Sequence, residues 1–197
     1  MLTPHHSRKT GSSGSVKVLI LFLLTSLAMT LVSVEAQDRL SEAFEVLKKF
    51  SGTWETRTRI RQESSPPREF NTRGKAICRQ TLEGRYFEFR SQSIPAGRAE
   101  LQVMTYDVEA AVYRQWVFDS DGYRHEAEGQ WDPSTSTLRW RGKTADTSFI
   151  IEDRWISSDR LEWTLVRTDA EGHTLQTIEG TLIRVKDKPA SEKKNDE

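Results

Sequence analysis

The stretch "FSGTWETRTRI", residues 50–60, decides how the chain reads. After Trp54 the even positions Thr56, Thr58 and Ile60 are uncharged, whereas the odd positions Glu55, Arg57 and Arg59 carry charge. A period of two places successive side chains on opposite faces of a strand. The stretch is therefore a strand with one wet face, entered through Gly52.

Upstream, Leu40, Phe44 and Leu47 recur at helical spacing within "DRLSEAFEVLKKF", and Ala43 and Phe50 lie close to the same stripe. One short amphipathic helix opens the domain, and "FSG" ends it. Downstream the helical period does not return. Alternating runs cover roughly Thr53–Arg61, Phe70–Gln80, Arg85–Ser93, Glu100–Asp107, Val112–Asp119, Tyr123–Trp131, Leu138–Arg141, Thr147–Ile156, Leu161–Thr168 and Thr174–Val185. Connectors such as "TLEG", "DSDG" and "DAEG" are short enough for hairpins. Evenly spaced antiparallel strands either stack as a sandwich or close into a barrel. Uniformly short connectors favour the meander, because a Greek key needs a long return. The expectation is an all-β fold: an up-and-down antiparallel barrel of about ten strands behind a short N-terminal helix.

The ends read differently. Arg8, Lys9 and Lys17 form a basic leader, Val18 to Val32 is apolar apart from Thr25, Ser26 and Thr30, and Val34-Glu35-Ala36 presents small residues at the positions a signal peptidase reads. The apolar run falls short of the roughly 20 residues that span a bilayer. Residues 1–36 are thus expected to be a signal peptide cut after Ala36, residues 37–185 the barrel, and residues 186–197 a solvated charged tail. This implies a secreted or periplasmic protein that is free of the membrane after cleavage. Removing the leader takes three of the 29 basic residues and one, Glu35, of the 29 acidic ones, leaving 26 against 28. A near-neutral chain has no bulk attraction for nucleic acid. Cys78 is the single cysteine, so no intramolecular disulfide forms, and its place between Ala76 and Gln80 fits a small buried thiol.

The Gly52-x-Trp54 pair on the first strand, the helix before it and Arg184 in "GTLIRV" resemble the calycin superfamily. The order "FSGTW", "LEGRYFE", "TYD", "YRQWVFDSDG", "EGQWDPSTSTLRWRG" and "TDAEG" resembles, more narrowly, the bacterial DUF1579 family of calycin-like domains of unknown function, over roughly residues 43–185. The pattern departs from that family at Arg98 to Met104. The resemblance implies that Gly52, Trp54 and Arg184 close the barrel base, with a cation–π pair between Trp54 and Arg184.

Candidate chemistry is sparse. Asp119-Ser120-Asp121-Gly122 reads as a hairpin turn, since an EF-hand register would put Val117 at its first ligand position. Arg141-Gly142-Lys143-Thr144 lacks the earlier glycine of a phosphate loop, because position 137 is a threonine. Glu126 and Glu128 share a charged face suited to salt bridges. His173 sits in a turn. His125, between Tyr123 and Ala127 on an apolar-leaning face, is the histidine that an axial haem ligand would require, as the nitrobindin branch of calycins implies; otherwise no cofactor and no metal site is read. Asp153 across a lumen from His125 would form an acid/base pair, but no catalytic constellation is legible and the chain is not read as an enzyme.

The favoured expectation is a lumen for a small amphiphilic or hydrophobic ligand. Its candidate walls are Trp116, Tyr123, Trp131, Trp155 and Trp163, and its candidate polar contacts are His125, Arg114 and Asp153, with Arg167 as a further inward polar group. Two alternatives stand beside it: a haem- or His-dependent enzyme using His125, and an interaction domain whose barrel is filled.

Overall fold

A computed structural model describes residues 37–94 and 97–186. The expected signal peptide and most of the expected tail lie outside the described residues. A helix, α1, covers residues 37–48. Ten strands follow: β1 Gly52–Gln62, β2 Arg68–Thr81, β3 Tyr86–Ile94, β4 Ala99–Asp107, β5 Val112–Asp119, β6 Arg124–Asp132, β7 Thr137–Lys143, β8 Ser148–Ser157, β9 Arg160–Thr168 and β10 Thr174–Arg184. Each pairs antiparallel with the next in sequence, and β1 also pairs with β10, so the sheet closes as an up-and-down barrel. Closure leaves no unpaired strand edge in the sheet. No described helix is long and apolar enough to cross a membrane.

The seam is in continuous register, from Trp54 opposite Arg184 to Gln62 opposite Gln176. Residues directly opposite in an antiparallel pair share a face, so this register carries inwardness around the wall. Trp54, Thr56, Thr58 and Ile60 point in, together with Arg184, Leu182, Gly180 and Ile178. The charged odd positions of the opening stretch point out.

The two ends of the lumen are built differently. At the base, Trp54, Phe87, Met104, Leu138, Trp140 and Leu161 are all buried to 1% exposure or less. Phe50, just after α1, caps this layer, with edge-on ring contacts to Trp155 at 4.7 Å and to Phe89 at 6.4 Å. Within the helix, Phe44 meets Phe87 edge-on at 6.2 Å, and Ala43, Val46 and Leu47 are buried. Close backbone approach makes room for the large rings. A Cβ on Gly129 would stand 2.6 Å from Cε3 of Trp140, its partner across β6 and β7. Toward the opposite end the inward residues Thr56, Thr58, Ile60, Thr72, Ser91 and Ser93 are small or medium-sized and only half-buried. The lower half of the wall is therefore filled by large rings, and the upper half is lined on this side by smaller, half-buried residues.

Base closure follows from one arginine. Cζ of Arg184 lies 4.0 Å from the centre of the Trp54 ring. Its Nη1 donates to the Ser51 carbonyl, its Nη2 to the Lys49 carbonyl at 2.9 Å and its Nε to the Ser158 carbonyl at 3.1 Å. Trp54 Nε1 donates to the Phe50 carbonyl at 2.7 Å. Gly52 holds φ at +119°, and a Cβ there would come within 2.6 Å of Arg184 Nη1. A side chain at this position would displace the guanidinium.

Candidate functional site

The upper half of the lumen is where polar groups converge. On β4 and β5, Gln115 Nε2 donates to Gln102 Oε1 at 2.8 Å, and Gln102 Nε2 donates to Glu100 Oε1 at 2.6 Å. This chain of amides climbs the inner wall toward the mouth. Glu100 has no cation in hydrogen-bond contact, and burial raises its carboxyl above the usual range. Asp119, opposite Glu100, accepts a hydrogen bond from Arg98 and from the backbone N–H groups of Asp121, at 2.9 Å, and Tyr123, at 3.1 Å. That is the turn chemistry expected of "DSDG".

Beside this chain stands an aromatic and cationic group. Tyr123 and His125 lie 5.6 Å apart, His125 meets Phe149 edge-on at 4.6 Å, and the Arg167 guanidinium lies 5.2 Å from the Tyr123 ring centre. Phe149 and Arg167 are cross-strand partners on β8 and β9. Burial, then the nearby Arg167 charge, push the His125 pKa down to about 4, so its ring is neutral at pH 7 and carries one donor and one acceptor. Neither nitrogen has a partner. Tyr123 Oη, Arg167 Nε and Gln115 Oε1 are likewise sealed from solvent without a hydrogen bond.

The structure divides the eight candidate ligand residues rather than gathering them. Tyr123 and His125 line the upper lumen. Trp163 faces inward at mid-height, half-buried. Trp131, Asp153 and Trp155 belong to the base, where Trp131 and Trp155 stack edge-on at 5.6 Å. Asp153 is buried and accepts from Trp140 Nε1 at 2.8 Å; burial pushes its carboxyl up to about 7 against the lowering effect of that bond. His125 and Asp153 do not form the expected pair. Asp153 is in register with Leu138, which is opposite Trp131, six positions from His125, roughly 20 Å along the strand.

Arg114 and Trp116 correct the expectation outright, because both point outward. Arg114 bridges Glu128 at 2.5 Å and Asp107 at 3.4 Å, and Trp116 lies between Val103 and Glu126 on the outer face. The inward residues of β5 are Tyr113, Gln115 and Val117. Gln102 and Gln115 escaped the sequence reading. A strand on which both faces carry aromatic residues gives no clear phase. The signal that fixes it is charge: Arg114 matches the charged Glu126 and Glu128 face of β6, which leaves Gln115 inside.

Other concave or polar features lie outside the lumen. Two concavities of about 670 and 600 Å³ are lined mainly by outward side chains of adjacent strands, such as Ile77, Arg90 and Phe118 in one and Arg57, Arg73 and Glu162 in the other. Among the described residues, Asp169, Glu171 and His173 bring three possible metal-donor atoms within 4.8 Å of one another. They sit on the turn before β10, where Asp169 is occupied by the His173 backbone and ring at 2.7 and 3.0 Å.

A closed ten-stranded barrel, plugged at one end by a tryptophan–arginine pair beside a helix, defines a calycin-like, lipocalin-like protein. Solved structures with this shape include Rv2717c from M. tuberculosis, with a TM-score of 0.56 at 13% identity over 73% of this chain and 98% of that one. The S-type phycobiliprotein lyase CpeS from Guillardia theta has a TM-score of 0.51 at 11% identity over 79% of this chain and 98% of that one. At such identities the likeness is one of fold. Residues 40–184 match the family described as "Protein of unknown function (DUF1579)", and the chain belongs to that family. No curated protein matches it in sequence.

Proposed function

We propose that this protein is an exported container that binds one small amphiphilic molecule in the upper half of its lumen. The observation that carries the reading is the convergence of sealed polar atoms without partners: both nitrogens of His125, Tyr123 Oη, Arg167 Nε and Gln115 Oε1. Each such atom costs about 1–3 kcal/mol if nothing satisfies it. Native proteins leave few such atoms without a protein, water or ligand partner, and a cluster of them facing one space favours a polar group held there. The inward residues on the opposite wall are small and half-buried, as a lumen open to a ligand requires. Export rests on the basic leader Arg8, Lys9 and Lys17 and the apolar run Val18 to Val32.

Native mass spectrometry of the protein purified from its own host, compared with its denatured mass, tests the container. An excess mass lost on denaturation is the expected result. Identical masses, together with no binding of lipophilic probes, make the filled interaction domain the better reading. A Soret band in the same sample turns the reading toward haem on His125. N-terminal sequencing of protein from the periplasm or medium is expected to begin at Gln37; an intact Met1 in the cytoplasm removes export.

A further inference from the structure

The outer wall of β3 to β6 carries a two-row pattern. Cross-strand partners share a face, so one row runs Arg90, Leu101, Phe118, Arg124 and the next runs Glu88, Val103, Trp116, Glu126. Four apolar side chains thus form a central block, Phe118 exposed and the other three half-buried. Two cations flank the block in one row, and two acids flank it in the other. Elsewhere the outer wall is a mesh of ion pairs such as Arg59 with Glu69, Arg139 with Glu152 and Arg154 with Glu162. A tryptophan and a phenylalanine side by side on that wall, rimmed by charge, have the composition of a protein interface. The rim is partly uncommitted. Arg124 makes no ion pair among the described residues, and Glu126 comes no closer than 3.9 Å to Arg114.

We propose that this face binds a second copy of the chain, about a two-fold axis that lies in the interface, runs across the strands and passes between the two rows. A two-fold contact is self-complementary, since each residue meets the one that the rotation brings over it. Rotation about this axis exchanges the rows and keeps the order of the strands. Arg124 then faces Glu126 of the second copy, Arg90 faces Glu88, Phe118 faces Trp116 and Leu101 faces Val103. Every charge meets its opposite, and the apolar block meets itself. The bond that Arg90 and Glu88 make along β3 joins its own copy in a ring of alternating sign. On β2, Ile77 and Arg79 continue the two rows and bring no like charges together. A two-fold axis along the strands would instead set Arg90 against Arg124 and Glu88 against Glu126, and like charges across a contact suppress it. The proposed axis also keeps the strands of the two copies nearly aligned, as sheets packed face to face require. The five strands β2 to β6 make a face roughly 20 Å wide. That is the small end of specific interfaces, so the dimer depends on concentration.

The test is sedimentation velocity of the protein purified from its own host, over a rising concentration series. A reversible monomer–dimer equilibrium is the expected result. Arg124→Glu and Glu126→Arg each turn a facing pair into like charges and are each expected to weaken self-association at least about tenfold. Mixed together they restore opposite charges and are expected to form the heterodimer. Melting curves of both variants verify that they fold. A monomer at every concentration overturns the proposal and gives the face to a different occupant. A dimer that both charge variants keep undiminished, or a mixture no tighter than either variant alone, places the contact on another surface and overturns it as well. A Glu126→Arg dimer tighter than the unmodified one turns the axis along the strands and overturns the pairing of the rows.

Discussion

Two arginines of this barrel lie against aromatic faces, and their surroundings could hardly differ more. Arg184 at the base sits 4.0 Å from Trp54 and spends its donors on three backbone carbonyls. Arg167 at the mouth sits 5.2 Å from Tyr123 and donates to none. The same contact belongs to a fully bonded closure in one place and leaves a sealed Nε without a partner in the other. What separates them is satisfaction of the remaining donors, since a buried polar group without partners costs more than the aromatic contact returns. Trp155, whose Nε1 is also sealed and unpaired, is the exception at the base.

The contrast predicts a gradient of mutational effects. Trp54→Ala is expected to lose about 3–5 kcal/mol of stability in urea unfolding, because a fully buried ring leaves a cavity under the Arg184 fork. Arg184→Met strands the carbonyls of Lys49 and Ser51 and is expected to cost about 1–3 kcal/mol. Arg167→Met removes a donor that had no acceptor, and its unfolding midpoint is expected to stay within about 0.5 kcal/mol of the unmodified chain or to rise. Equal losses for Arg184→Met and Arg167→Met would abolish the distinction.

Titration sharpens it further. Burial lowers the His125 pKa to about 4 in the folded state, from an ordinary value of about 6.5. The unfolded chain therefore takes up the proton first, and stability falls as pH drops from 6.5 towards 4. Burial raises the Asp153 pKa to about 7 in the folded state, from an ordinary value of about 3.9. Its native state keeps a proton the unfolded chain has lost, so stability falls as pH rises from 4 towards 7. The two groups oppose each other across one window, each with a slope on the order of 1 kcal/mol per pH unit. Urea midpoints measured from pH 4 to pH 8 are expected to separate them. His125→Gln removes the loss on the acid side, and Asp153→Asn, which still accepts from Trp140, removes the decline toward neutrality. The smallest effect concerns Cys78, buried on β2, whose thiol burial pushes up to about 12. A thiol reagent at pH 8 is expected to leave it untouched in the folded barrel and to titrate it in denaturant.

The barrel was legible in the sequence because each strand alternates and each connector is short. The ten expected runs coincide with β1 to β10 to within a few residues, β7 being extended at both ends by Thr137 and Gly142-Lys143. Which residues share a level was not legible. Alternation fixes the face of a residue but not its height, so His125 and Asp153 both read as inward while lying at opposite ends of the lumen. Height comes from register, and register from long-range pairing such as Trp54 with Arg184. Phase failed on β5, where Trp116 and Arg114 attracted attention by size and charge although the Glu126–Glu128 face of β6 pairs with them outside.

The β1–β10 seam also sets a sequence of events in time. Arg184 donates to a carbonyl 133 residues earlier in the chain, so the first strand to be synthesised waits for the last before its second edge is covered. Barrels dominated by such distant pairing fold over milliseconds to seconds rather than microseconds. Until β10 emerges, β1 exposes a ladder of unpaired N–H and C=O groups to any extended chain nearby. A nascent chain halted before Thr174 is therefore the aggregation-prone form of this protein, and full-length synthesis is what removes its sticky edge.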